Sequence, residues 1–425
     1  MLASRPFVCI VFAAAWISFQ PTHARGQEVE VVTQNSTVST TNETGPSLLT
    51  PLPLHLSLEI DEGYDDNIGT TTGGQGSLYT DGKITLSYDR NAVQTQVNLI
   101  SVAGGTYFTD AKGRTPYDVD TSLALFVSHN VSERLKLAAS VYAAYRTEPD
   151  LSSNVSLNNR RGPYIDTVDK FTATYHWTSR LATVPTFTFH RLQYENSAVA
   201  TTSNRSDYTF GDVLRLNLSS RTALLPEYRF KIVNYDNFAP RDSTTHYALI
   251  GVDEDFSSKL KFVVRGGATF RSFNNDGSRT DPYFEGSLDY ALAPRSSLSW
   301  QSTYEVDEPN SSTAVTSAPL SRTTFRTGLL LNYALSTRIS ANAAGYYHHD
   351  ENQGTTSLGT AQPGLSQDTY DLSLILRYAI KRRFTFDLGF RRSQVSSNRS
   401  SNQSSGLLTQ PYSRDRYFAG LSFNY

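Results

Sequence analysis

The sequence predicts an all-β fold: a transmembrane, antiparallel, up-and-down β-barrel of about eighteen strands, with short periplasmic turns and long extracellular loops. Three observations carry that prediction. The final stretch alternates apolar and polar residues, tight-turn signatures recur along the chain, and long polar segments fall between them.

The final stretch runs from Arg414 to Tyr425. Side chains of an extended strand point to alternate faces, so Tyr417, Ala419, Leu421, Phe423 and Tyr425 share one face. Arg416, Gly420, Ser422 and Asn424 share the other. One row suits lipid and the other tolerates water. A long, aromatic, half-apolar strand left as an open edge aggregates, whereas a closed barrel pairs its last strand with its first.

The chain opens like an export substrate. Arg5 is followed by an apolar run from Phe7 to Phe19 and then by the small-residue site Thr22-His23-Ala24, so residues 1–24 read as a signal peptide. The apolar run is too short to span a bilayer as a helix. Cys9 and Met1 are the chain's single cysteine and single methionine. Removing the signal removes both, and with them disulfide, thiol and zinc–thiolate chemistry. Residues 25–50 are rich in Ser, Thr, Asn and Gln and bury too little apolar surface to fold alone, so they read as a flexible periplasmic leader. The barrel is then expected over residues 51–425. No later stretch reaches about eighteen consecutive apolar residues, which excludes helical spans. With 25 Tyr and 22 Phe and a net charge of −2, the chain suits strands with aromatic girdles and gives no bulk attraction to nucleic acid.

The turns repeat. Tyr290-Ala291-Leu292-Ala293-Pro294-Arg295, Tyr333-Ala334-Leu335-Ser336-Thr337-Arg338 and Tyr378-Ala379-Ile380-Lys381-Arg382-Arg383 share one pattern. Looser copies are His176–Arg180, Asn217–Arg221 and Asp255–Lys259, with Tyr88-Asp89-Arg90 and Val131–Arg134 in equivalent places. The spacing, about 36 to 46 residues, fits one hairpin plus one loop. Alternating rows enter and leave each turn, such as Leu372, Leu374, Leu376, Tyr378 and then Phe384, Phe386, Leu388, Phe390. Tyr88, Trp177, Phe256, Tyr290, Tyr333, Tyr378 and Tyr425 recur beside the turns and are expected to form an interfacial girdle. Polar segments near 65–80, 103–116, 147–163, 195–206, 236–244, 274–281, 307–320, 350–367 and 393–412 alternate with the turns and read as the long loops. An even strand number puts both termini in the periplasm.

If the apolar row faces lipid, its complement faces a lumen. That row carries Glu59, Asp61, Lys83, Asp118, Asp120, Lys136, Arg146, Lys170, Arg326, Arg338, Arg377, Asp387 and Arg391. So many charges imply water, because an unpaired buried charge costs several kcal/mol. Basic residues cluster centrally at Arg215, Arg229, Lys231, Lys261, Arg265 and Arg271; acidic ones follow at Glu285, Asp289 and Glu305. They read either as a basic stripe guiding anionic solutes or an acidic polysaccharide, or as ion pairs stiffening the wall.

Leu56–Ile68, ending in Tyr64-Asp65-Asp66-Asn67, resembles the opening of the putative beta-barrel porin 2 family, and the turn copies resemble that family's repeats. The resemblance implies an outer-membrane porin, with some members linked to exopolysaccharide export. A terminal strand ending in Phe or Tyr likewise resembles the signal by which bacterial outer-membrane barrels are recognised for insertion, which singles out Tyr417, Leu421, Phe423 and Tyr425. The expected partners are outer-membrane lipid, the barrel-assembly machinery and polysaccharide or small polar solutes.

Two constellations invite chemistry. Asp61, Glu62, Asp65, Asp66 and Asn67 offer oxygens to a hard cation, but without EF-hand spacing they read as a hydrated strand end. His348-His349-Asp350 reads as an exposed pair near the rim rather than a hydrolase site, since no nucleophile stands at a diagnostic spacing. No phosphate loop, metalloprotease motif or dinucleotide fingerprint is present. The expected role is therefore a channel with no catalytic residues and no cofactor or metal. The alternative is a closed barrel whose loops bind a surface polymer or a partner protein.

Overall fold

The computed structural model describes residues 54–148, 162–274, 277–308, 321–353, 366–398 and 411–425. The signal and leader expected over residues 1–50 lie outside the described residues. The strands are β1 (Leu54–Asp65), β2 (Ser77–Asn91), β3 (Thr95–Phe108), β4 (Tyr117–Asn130), β5 (Leu135–Arg146), β6 (Tyr164–His176), β7 (Leu181–Tyr194), β8 (Arg205–Asn217), β9 (Thr222–Tyr235), β10 (Ser243–Asp255), β11 (Leu260–Phe273), β12 (Ser278–Ala293), β13 (Ser296–Asp307), β14 (Ser321–Ala334), β15 (Ile339–Gln353), β16 (Ser366–Lys381), β17 (Phe384–Ser397) and β18 (Tyr412–Asn424). A short helix α1 (Ser197–Ser203) and a 3₁₀ turn over Ala239–Arg241 lie in two of the loops.

Every strand pairs antiparallel with its sequence neighbours, and β1 pairs with β18 from Ser57↔Asn424 to Asp65↔Arg416. The eighteen strands therefore close on themselves and leave no edge. At the seam the backbones of Leu56 and Tyr425 exchange two hydrogen bonds, at 3.1 and 2.8 Å. Gly63 lets β1 approach β18 here: a Cβ at that position would meet the Tyr417 carbonyl oxygen and the Tyr79 ring.

The period-two alternation sets which face each residue takes. In β1, Leu58, Ile60 and Tyr64 point outward and are exposed, while Asp61 and Asp65 point inward and are buried. In β18, Tyr417 and Leu421 point outward and Arg414, Gly420 and Ser422 inward, and Tyr425, just past the strand, is exposed. Phe423 shares the outward row and packs against Phe384, ring centroids 5.1 Å apart. Cross-strand aromatic pairs such as Phe187–Phe210 at 5.0 Å and Phe390–Tyr417 at 5.0 Å reinforce the outer face. The expected girdle residues Trp177, Phe256, Tyr290, Tyr333, Tyr378 and Tyr425 are all exposed beside the turns, and Tyr88 is half-buried.

Five turns share one chemistry. In Val131–Arg134, Trp177–Arg180, Leu218–Arg221, Phe256–Lys259 and Leu335–Arg338 the second residue is Ser or Thr. Its hydroxyl accepts hydrogen bonds from the backbone N–H groups two and three residues on, at 3.0–3.3 Å. This local side-chain-to-backbone bonding is what makes the motif a turn. Ser336→Ala removes one such acceptor. It is expected to cost about 1 kcal/mol in urea unfolding, and Thr178→Ala the same.

Several boundaries differ from the sequence expectation. β3 runs to Phe108, so the loop expected from 103 begins at 109, and β2 already starts at Ser77. Tyr88-Asp89-Arg90 lies within β2, and the turn follows it. Period-two alternation is masked where small and polar residues such as Gly104, Gly105 and Thr106 occupy both faces. The segment expected as polar loop over 195–206 contains α1, and Arg338, expected in the lumen, sits exposed in a turn.

Candidate functional site: the charged inner wall and the loops folded over it

The inner faces of β6 to β15 carry a continuous charge network, stacked in tiers between the turn end and the loop end. Near the turns, Arg215 of β8 and Lys261 of β11 flank Asp253 of β10, at 2.8 and 3.7 Å. At mid-height Arg265 contacts Glu227 at 3.2 Å and also Glu285, while Arg229 contacts Glu227 and lies 3.2 Å from Glu285. Arg229 also donates to the Tyr283 hydroxyl at 3.0 Å, and that hydroxyl donates to Glu285 at 2.5 Å.

Toward the loops, Lys231 lies 3.7 Å from Asp207 and 3.9 Å from Glu308. Glu308, fully buried, also takes Arg271 and the Tyr235 hydroxyl, the latter at 2.9 Å. Arg326 bridges Glu305, at 3.2 Å, and Asp307; Arg322 bridges Asp307 and Asp350, both at 3.3 Å. On the other flank His190 faces Asp166 through Nε2 at 2.8 Å and Asp207 through Nδ1 at 3.0 Å. A histidine can donate from both ring nitrogens only as imidazolium.

All six residues of the expected basic stripe thus point inward, and each stands against at least one carboxylate. Each of these cations meets a carboxylate on its own strand or on one nearby, so the wall is a compensated lattice rather than a row of free cations. Desolvation of each ion is offset by its neighbours. Glu285 and Glu305 belong to that lattice. Asp289 is inward but exposed near the turn end, with no ion pair among the described residues.

A second cluster locks the barrel seam. Asp65, with no accessible surface, accepts Arg414 at 2.5 Å and Arg416 at 2.7 Å from the neighbouring β18. Both guanidinium groups also reach Glu148, at 2.8 and 2.7 Å. Glu148 follows β5, so this bridge spans from the seam to a strand well round the wall. The next residues of the Tyr64–Asn67 motif continue the lock. Asp66 accepts the Asp415 N–H at 2.7 Å, and Asn67 donates to the carbonyls of Thr71 and Ser413 at 2.8 and 2.9 Å. The segment expected as a hydrated strand end is therefore a buried closure device. Its oxygens do not converge: Glu62 points outward and accepts from Thr80 at 2.8 Å.

Three loops fold inward at this end. Ile68 packs on the inward rings of Tyr79 and Phe108. Arg114 clamps that loop, donating to the Ile68 carbonyl at 2.5 Å while paired with Asp118 at 2.8 Å. Val199 of α1 packs on Tyr164, Leu192 and Tyr194. The guanidinium of Arg241 donates to the Thr202 carbonyl at 2.8 Å and lies over Tyr235 and Phe238, 5.5 and 5.4 Å from the ring centroids. Outside the strands, Asp236 accepts two hydrogen bonds from Arg191, at 2.6 and 2.5 Å, which hold its carboxyl below the usual carboxylate range. The loop-end lumen is accordingly lined by buried large side chains. Asp289 is exposed near the turn end, and Arg391 is exposed at mid-height.

The expected exposed pair at His348-His349-Asp350 is split by the pleat. His348 and Asp350 point inward and are buried, and Asp350 takes Arg322; His349 points outward and meets Asp368 at 2.8 Å. Sequence reading missed Asp207, Asp253, Asp307 and Glu308. Carrying the two-residue step from Arg215 back to Asp207, and from Leu249 on to Asp253, would have found two of them. Glu308 lies beyond the end of β13, where no strand parity applies.

A closed eighteen-stranded barrel with an apolar outer face and a charged inner one defines the class: a porin-like β-barrel of the outer membrane. The chain belongs to the family described as "Putative beta-barrel porin 2", whose pattern matches residues 54–410. It has no match among curated proteins. Among solved structures it is similar to OpdK of Pseudomonas aeruginosa, crystallised with vanillate, with a TM-score of 0.45, 10% identity, and coverage of 88% of this chain and 99% of that one. The siderophore receptor PirA from Acinetobacter baumannii gives 0.42 and 8%, covering 88% of this chain and 80% of that one. The copper transporter OprC gives 0.44 and 14%, with 90% and 82% covered.

Proposed function

We propose that this protein is a passive channel for small polar solutes, with a loop-end constriction and only weak charge preference. The carrying observation is the compensated inner wall: a lattice of opposite charges keeps the lumen hydrophilic without presenting one sign to a solute. Barrels of 16–18 strands are wide enough for water. No chemistry is required of the wall, so the reading needs neither catalytic residue nor cofactor.

Export of a secreted polysaccharide is the finer alternative. It would require the segments packed on Ile68, Val199 and Arg241 to swing out, because a polymer needs a wider mouth than a monosaccharide. In this reading the protein sits in the outer membrane with both termini periplasmic. The outward row of Tyr417, Leu421, Phe423 and Tyr425 then serves as the surface met by the assembly machinery.

The test is conductance of the refolded protein in planar bilayers, with reversal potentials in a salt gradient. Discrete steps with a permeability ratio within about threefold of unity are expected for a compensated wall. Strong anion selectivity would contradict the compensated-wall reading and return the six basic residues to the role of a guiding stripe. A folded protein that never conducts would sink the open channel and favour a closed barrel that binds polymer or protein through its loops.

A further inference from the structure

The five shared turns contain a regularity that the turn itself does not need. Their fourth residue is always basic: Arg134, Arg180, Arg221, Lys259 and Arg338. The hydroxyl at the second position makes the turn by accepting the N–H of this residue and of the next. The carbonyl of the basic residue accepts the N–H of a residue at the end of the next hairpin, at 2.8–2.9 Å in all five cases. Both contacts are backbone contacts, which any L-residue except proline provides. The side chain is free to vary, yet it is a cation five times. All five are exposed, and none forms an ion pair among the described residues. Arg295 and the Arg382–Arg383 pair add basic charge in two further turns, against one acidic turn residue, Glu133.

The first position of the same turns carries the second regularity. Val131, Trp177, Leu218, Phe256 and Leu335 are apolar and 50–65% exposed. An exposed apolar residue three positions before an exposed cation, repeated around one rim, matches a lipid interface. The apolar side chain enters the acyl boundary while the cation reaches a phosphate. A cation near an anionic membrane surface gains on the order of 1 kcal/mol, so a ring adds up. We propose that the turn rim is a binding ring for anionic phospholipid headgroups in the leaflet it faces. The ring would retain anionic lipid around the barrel and fix its height and tilt. The proposal rests on the outer face lying in lipid, and it is independent of whether the lumen conducts and of which side the turns face.

Trp177 lies in this ring and supplies the probe. The chain has three tryptophans, so Trp16→Phe with Trp300→Phe leaves Trp177 as the only indole. This chain is reconstituted into vesicles of phosphatidylcholine containing either dibrominated phosphatidylglycerol or dibrominated phosphatidylcholine, and Trp177 fluorescence is read against brominated fraction. The expected result is a relative association at least threefold in favour of phosphatidylglycerol. It should fall close to one when the five basic residues are changed to Gln, and in about 1 M salt. Arg180→Gln alone, beside the probe, covers the case in which the fivefold variant fails to insert, and should at least halve the preference. Equal quenching by the two lipids in the parent chain, or a preference unaltered by the Gln changes, overturns the proposal and leaves the rim to an acidic protein partner. Absence of quenching by either lipid would instead sink the membrane reading itself.

Discussion

Asp65→Asn is expected to destabilise the barrel by about 3–5 kcal/mol, the range for removing one partner of a buried ion pair. Asp65 is the inaccessible carboxylate on which the two arginines of β18 converge. Neutralising it leaves Arg414 and Arg416 sharing only Glu148, with Arg414 still buried. The damage falls at the β1–β18 pairing, which joins the two ends of the sheet. An opened seam exposes two strand edges to lipid, where unpaired backbone groups cannot be satisfied. The measurement is urea unfolding in lipid, together with the temperature at which the compact band is lost on a gel. Adding Arg414→Gln to the variant should recover part of the loss, because it removes the stranded charge. A loss below about 1 kcal/mol would mean that backbone pairing alone holds the seam.

Glu308→Gln is expected to raise the anion-to-cation permeability ratio about fivefold, with little change from Asp289→Asn. Leaving a wall cation such as Lys231 with one carboxylate fewer, about 4 Å from a passing ion in a water-like medium, is worth about 1 kcal/mol. Glu308 stands where the inner wall meets the folded loops, in contact with Arg271 and Tyr235 and close to Lys231. Its loss leaves Arg271 without its carboxylate and Lys231 with Asp207 alone at the narrow end. Asp289 lies at the open turn end, where water screens it. The readout is the reversal potential of the conducting protein in a salt gradient. An unchanged ratio would show that ions do not pass along this wall and that the path runs along the opposite side of the lumen.

Glu308 stands outside the local patterns that the rest of the wall obeys. The rows Leu58–Ile60–Tyr64 and Tyr417–Leu421–Tyr425 could be assigned to a face from the sequence, because strand parity is local and exact to one residue. The turns could be placed because the Tyr-Ala-Leu-x-x-Arg pattern and its looser copies recur, and a turn is closed by its own few residues. The six inward basic residues were legible for the same reason. Among their partners Glu285 was legible, and Asp207 and Asp253 stand on the same inward rows; Glu308 was not, because it follows the end of β13, where strand parity no longer applies.

The sequence by itself determined a strand number of about eighteen, the face taken by the alternating rows, the places of most turns and the closure of first strand on last, since each follows from period two or from patterns within a few residues. Only the tertiary structure decided that the basic residues are compensated, that the Tyr64–Asn67 motif is a seam lock, and that three loops fold inward. Those contacts join residues such as Glu148 and Arg414, 266 positions apart, or Arg229 and Glu285, 56 apart. Such pairs are brought together by the circumference of the closed sheet, and no local pattern encodes which charge will stand opposite which.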